Sequence, residues 1–131
     1  DLIAIRRKDP VFTSPARRFD AVAITPQLFL MRYMGGEAGD RLLVINFGVD
    51  TQLSPIPEPL LAPPAGRTWG VLWHSEAPQY GGQGIPDLRT RHEWYVPGKS
   101  AVLLADEAID PALLVDPKVD APLIPEDTDD R

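Results

Sequence analysis

QLFLMRYM-GGEAGD-RLLVINF, residues 27–47, is the stretch on which the fold turns. From Gln27 to Met34 the side chains alternate in strand fashion, with Phe29, Met31 and Tyr33 on one side. The glycine-rich segment Gly35–Asp40 then supplies a turn, and Arg41 to Phe47 resumes the β pattern. In that second run Leu43, Ile45 and Phe47 share one face, and Leu42 and Val44 share the other. Two strands on a short Gly-rich loop make a hairpin. The second is apolar on both faces, so it is expected at the centre of its sheet.

The flanks extend the same logic. Phe19 to Thr25 (FDAVAIT) is short, β-prone and stopped by Pro26, while Val11 to Arg18 reads as a loop. Residues 54–66 (SPIPEPLLAPPAG) hold five prolines, cannot donate regular ladder bonds, and should run over the surface with Leu60 and Leu61 as pins. Thr68 to His74 (TWGVLWH) places Trp69, Val71 and Trp73 on one face. His92 to Val96 and Ser100 to Ala105 form a last expected pair around the turn dipeptide Pro97-Gly98. About six strands in roughly ninety residues, all on tight connections, predict an all-β, antiparallel β-sandwich. Leu43, Ile45, Trp73, Trp94 and Val102 are its expected core. A short helical remnant precedes it: in DLIAIRRKDP, apolar Leu2, Ile3 and Ile5 lead into basic residues and proline, the pattern of a helix end. This entry into a helix without an initiator Met is expected of a segment of something longer.

Composition bounds the rest. A chain of 131 residues has room for one domain of ordinary size, and 44% hydrophobic residues suffice for one core. Fifteen prolines disfavour long helices. The net charge of −6 is uneven: residues 1–104 carry 11 basic and 10 acidic side chains, residues 105–131 carry 2 and 9. The body is thus near neutral, without the basic stripe of a nucleic-acid binder, and Arg6-Arg7-Lys8 reads as a solvated helix face. The absence of cysteine excludes disulfides and thiolate metal sites and fits a reducing compartment, so a cytoplasmic location is expected. No apolar run approaches the roughly 20 residues of a membrane helix, and no membrane partner is expected.

Catalytic chemistry finds little to work with. His74-Ser75-Glu76 and His92-Glu93 could supply metal ligands on paper, but neighbouring strand residues point to opposite faces, and no metal is expected. Ser75 and His92 lack a nucleophile elbow and an oxyanion-hole context. Glu76 lacks the second carboxylate that glycoside hydrolysis requires. Gly81-Gly82-Gln83-Gly84 lacks the Lys and Ser/Thr of a phosphate loop, so no cofactor is expected either. The aromatics Trp69, Trp73, Tyr80, Trp94 and Tyr95 suit a core or sugar stacking, with Tyr80 the one expected to be exposed. The candidate structural or glycan-contact loop therefore comprises Trp73, Ser75, Glu76, Tyr80, Gly81, Gly82 and Gly84. It should hold one conformation, with Gly82 a candidate for positive φ, Ser75 or Glu76 bonded to loop backbone, and Tyr80 packed over the turn.

Four phrases carry a family resemblance: DLIAIRRKDPVF (1–12), RLLVINFG (41–48), LWHSEAPQYGGQG (72–84) and EWYVPGKSAVLL (93–104). Together they resemble the end of α-amylase-superfamily glycosidases, nearest to the maltooligosyltrehalose trehalohydrolases and their branching-enzyme and glucosidase relatives. The matching residues are Asn46, Gly48, Trp73, Ser75, Glu76, Tyr80, Gly81, Gly82, Gly84, Trp94, Pro97, Gly98, Ser100 and Ala101; His74 departs from the pattern. The resemblance implies that residues 1–10 end the last helix of a catalytic (β/α) barrel, that 11–105 form its C-terminal β-sandwich, and that 106–131 are an acidic tail or linker. It further implies no catalytic residue in this chain, whose expected job is to cap and stabilise the barrel of an α-glucan-active glycoside hydrolase or transglycosylase, with α-glucan as a second possible contact. The alternative is a free-standing carbohydrate-binding or protein-interaction module.

Overall fold

The structure, a computed structural model, describes residues 1–16, 18–54, 58–85 and 94–109. It begins with helix α1 (Leu2–Lys8) and the single turn α2 (Pro10–Thr13). Seven strands follow among the described residues: β1 (Arg18–Ala23), β2 (Leu28–Met34), β3 (Arg41–Asn46), β4 (Thr51–Leu53), β5 (Arg67–His74), β6 (Trp94–Val96) and β7 (Ser100–Ala108). A five-stranded sheet runs β1-β2-β3-β7-β5 and a two-stranded sheet pairs β4 with β6. Every pairing is antiparallel. Among the described residues the fold is mostly β, with two antiparallel sheets and no closed barrel, as the alternation pattern implies.

The hairpin forms as expected, with Leu30 opposite Val44 and Leu28 opposite Asn46. Its turn is a 3-10 turn over Gly36–Ala38, with Gly36 and Gly39 at φ 58° and 82°. Asp40 closes it, accepting from the Gly35 N–H at 3.3 Å and from the Arg32 guanidinium at 2.8 and 3.0 Å. β3 is central, flanked by β2 and β7.

One face of the large sheet carries the core. Leu28, Leu30, Leu42, Val44, Val102, Leu104 and Trp69 pack there against Leu53, Trp94 and Val96 of the small sheet. Leu61 joins them from a 3-10 turn (Pro59–Leu61), so it does pin the proline-rich stretch, and its carbonyl accepts from Trp69 Nε1 at 2.9 Å. The expected core is half corrected. Trp94 and Val102 are buried, but Leu43 and Ile45 stand on the sheet's other face and are half-buried. Both faces of β3 are apolar, so alternation alone cannot say which meets the small sheet. The face ending in buried Asn46 does.

Two further readings are overturned. Trp69 and Trp73 do not share a face, because an irregularity between Val71 and Trp73 brings Trp73 opposite Leu103 while Trp69 lies opposite Asp106. A bulge of this kind inserts one residue and inverts the alternation beyond it. Nor do β6 and β7 form a hairpin. Leu53 pairs with Trp94 in the small sheet, and β7 inserts between β3 and β5. β7 also continues through Ala108, so Asp106, Glu107 and Ala108 are strand where the acidic tail is expected to begin. The tail beyond residue 109 lies outside the described residues, as do His92 and Glu93.

The second face of the sheet carries Met31, Tyr33, Leu43 and Ile45 beside buried Leu103. α1 and α2 lie across it. Leu2, Ile5, Arg6 and Phe12 wall a cavity of about 370 Å³ over Tyr33, Leu43 and Leu103. Phe12 meets the Tyr33 ring edge-on at 5.0 Å. Asp9 fixes the junction of the two helices. Its carboxylate caps α2 through the Val11 N–H (2.9 Å) and accepts from Arg41 Nε (2.8 Å).

Candidate functional site

The loop from Ala77 to Gly84 is built on backbone hydrogen bonds. Pro78 starts a 3-10 turn (Pro78–Tyr80), where its fixed φ is favourable and its missing N–H costs nothing. The Ala77 carbonyl accepts from Tyr80 N (2.9 Å) and Gly82 N (3.2 Å), and Gly81 N donates to Pro78 O (3.0 Å). Gly84 N then returns to the Glu76 carbonyl at 2.7 Å. Gly81 and Gly84 have φ of 82° and 84°, so both need glycine for their backbone shape. Gly82 differs from the expectation, since its φ is not positive. It is glycine because a Cβ there would lie 2.1 Å from the Glu76 carbonyl oxygen.

Ser75 extends the β5–β7 pairing past His74. Its N–H donates to Ala101 O, and its hydroxyl accepts from Ala101 N, both at 2.9 Å. Thus Ser75 bonds to strand β7 rather than to the loop, and Glu76 serves the loop through its carbonyl. Tyr80 is 45% exposed, with its ring 5.9 Å from that of Trp73 and tilted by 53°. Its hydroxyl accepts from Trp73 Nε1 (3.1 Å) and donates to the Asp1 carboxylate. Trp73, Ser75, Glu76, Tyr80, Gly81, Gly82 and Gly84 are therefore contiguous, and most of their polar groups are turned on the fold itself.

A second constellation, of which sequence reasoning marked Asn46, Gly48, Tyr95, Pro97, Gly98 and Ser100, lies at the end of β3. Buried Asn46 donates from Nδ2 to Val49 O (2.8 Å) and Val96 O (3.1 Å) and accepts from Gly48 N (2.9 Å). Asp50 accepts from Gly98 N (2.7 Å) and from the Tyr95 hydroxyl (2.8 Å). The Gly98 amide, and then the Tyr95 hydroxyl, hold the Asp50 carboxyl below the usual aspartate range. Reciprocally, the bond to Asp50 raises the Tyr95 phenol above its ordinary value. A Cβ on Gly98 would fall 2.5 Å from the Gly48 carbonyl, so the two loop backbones also come into direct contact. Asp50 and the short strand β4, whose three residues are TQL, carry no strong signal in the sequence.

No group of three His, Cys, Asp or Glu able to hold a metal occurs among the described residues. His74 Nδ1 is buried without a hydrogen-bond partner among them. No helix among them is long and apolar enough to cross a membrane.

No curated protein matches the chain. A family model described as a domain of unknown function (DUF3459) matches residues 16–103, which takes in β1 through the start of β7 and both constellations. That is more than half of the sequence, and the chain belongs to this family, a domain known from the C-terminal region of α-amylase-family enzymes.

Proposed function

We propose that this chain is the non-catalytic C-terminal accessory domain of an α-glucan-active glycoside hydrolase or transglycosylase, trehalohydrolase-like, in which it caps and stabilises a catalytic (β/α) barrel. One observation carries the reading: the residues that bear the family resemblance are engaged in holding the β fold. Asn46, Gly48 and Gly98 lock two loops, Ser75 prolongs a strand pairing, and Gly81, Gly82 and Gly84 shape one turn. The surface offered to a barrel is α1, whose Leu2 and Ile3 are 47% and 67% exposed. Residues 1–10 in this reading are the end of the barrel's last helix, and the acidic segment beyond Ile109 is a tail or linker.

Two measurements test it. Coding sequence upstream of Asp1 should specify a (β/α) barrel bearing the acidic residues of glycoside cleavage. The purified chain should show no saturable hydrolysis of maltooligosaccharides. An upstream sequence without a barrel, or turnover by the chain alone, overturns the proposal. A glycan-contact reading has one observation in its favour, the exposure of Tyr80 beside Trp73. Tyr80→Ala would then abolish α-glucan binding while leaving the melting temperature in place. The 53° tilt between the two rings opposes this, since a flat sugar face stacks on one plane.

A further inference from the structure

The large sheet is apolar on both faces, and the small sheet covers only one of them. On the other face Phe29 lies opposite Ile45, and Ile45 lies opposite Ala101. The Ser75 N–H donates to the Ala101 carbonyl, so this row crosses from β2 to the end of β5. Beside it runs the row of Met31, Leu43, Leu103 and Trp73. The two helices cover the second row, where Leu2, Ile5 and Phe12 stand over Leu43 and Leu103. They do not cover the first. Phe29, Ile45 and Ala101 are half-buried, and no helix residue lines the hollow of about 350 Å³ that Ile45, Phe47, Ser75 and Ala101 share. Phe47, at the rim of that hollow, is 70% exposed. An antiparallel sheet that shows one face to water ordinarily turns polar side chains outward. An apolar row left open instead marks a contact surface.

The position of α1 says what covers it. The Asp1 carboxylate accepts from the Tyr80 hydroxyl, and Tyr80 packs on Trp73, two positions before Ser75. From there α1 leads across the sheet to Asp9, which binds Arg41 on β3. The helix thus comes onto the sheet beside the open row, and on the same face. We infer that the row of Phe29, Ile45 and Ala101, with Phe47 at its rim, continues the contact that α1 begins, and that the catalytic barrel docks on this second face of the large sheet. The inference rests on the reading of residues 1–10 as the end of the barrel's last helix. In it the barrel supplies an apolar surface that closes the hollow and buries Phe47, while the opposite side of the sheet stays as it is in the chain alone.

The chain has no cysteine, so single introduced thiols report on cover. Phe47→Cys probes the proposed face. Val71→Cys is the control, since Val71 is 47% exposed and pairs with Leu104, whose side chain lies on the core side of the sheet. Maleimide labelling is compared between the 131-residue chain and the protein extended by its upstream coding sequence. Both thiols should react readily in the chain alone. In the extended protein Phe47→Cys should react at least about tenfold more slowly, because a covered thiol waits on local opening, while Val71→Cys keeps its rate. As a second measurement, Phe47→Glu should lower the melting temperature of the extended protein and leave that of the chain alone in place. An upstream sequence without a barrel overturns the reading of the chain and the docking with it. A barrel present with Phe47→Cys labelled as fast as in the chain alone overturns the docking and leaves that reading standing. Equal slowing at both thiols, or an equal effect of Phe47→Glu in both proteins, also overturns the docking. So does shielding of Phe47→Cys already in the chain alone: by a second copy if it grows with concentration, by residues 110–131 if truncation at 109 removes it.

Discussion

Gly82 shows how a single atom decides a position. Its φ is not positive, yet a Cβ there would meet the Glu76 main chain, which cannot swing aside as a side chain can. Gly82→Ala should therefore cost about 1–3 kcal/mol, the range for overpacking, and Gly82→Val more, read as a lowered melting temperature. Equal melting of Gly82→Ala and the unaltered chain would show that the loop can shift away freely. At Asp50 the deciding quantity is charge. Its carboxyl titrates below the ordinary aspartate value in the folded chain, so its contribution is present at neutral pH and lost as pH falls through that lowered value. The Tyr95 phenol titrates above its ordinary value, so its contribution holds at neutral pH and is lost as pH rises through that raised value. Asp50→Asn should flatten the melting profile at both extremes, more at the acid end if the Gly98 amide is the stronger partner. A pH profile unchanged by Asp50→Asn would rule this out.

Strands differ in how far their partners can be read from their own residues. β2 and β3 were legible because a short glycine-rich turn joins them and each alternates without interruption. β5 was legible as a strand but not in its facing, because nothing in TWGVLWH marks the extra residue between Val71 and Trp73. β6 and β7 are each evident as strands, yet Pro97-Gly98 connects two different sheets rather than turning one back on itself. The candidate loop was legible through its glycines, whose φ and crowding leave a mark in the sequence. The second constellation was legible only in part, since Asp50 and Tyr95 are ordinary residues until the two loops meet. The inverted facing of β5 has an energetic consequence. Trp69 is 1% exposed, donates to Leu61 O, and lies 5.1 Å beneath the Arg32 guanidinium, while Trp73 is only half-buried. Trp69→Ala should cost about 3–5 kcal/mol, and Trp73→Ala clearly less. Chemical denaturation of the two variants side by side checks the order, and a larger loss at Trp73 would mean that the bulge is misplaced.

Across the whole molecule one charged chain joins parts that are far apart in sequence. Asp9 at the helix junction binds Arg41 on β3, Arg41 lies 4.0 Å from Asp106 on β7, and Asp106 lies 3.7 Å from Arg67 on β5. Asp106 is only 6% exposed and also fills the space beside Gly39, where a Cβ would come within 2.2 Å of its carboxylate. The helix junction, the hairpin turn and both neighbours of β7 thus meet at a residue that composition alone assigns to an acidic tail. Removing one member of a buried charge cluster leaves its partners unpaired, which typically costs about 3–5 kcal/mol, and the 40% exposure of Arg67 reduces that here to about half. A chain ending at residue 105 should consequently melt well below one ending at 109, although both retain every core side chain from Leu28 to Leu104. Asp106→Asn in the full chain separates the charge from the lost strand pairing: it should reproduce part of the deficit, because the amide fills the space without answering two guanidinium groups. If the chains ending at 105 and 109 melt alike, β7 is complete before Asp106 and the charged chain is a surface ornament with no hold on the fold.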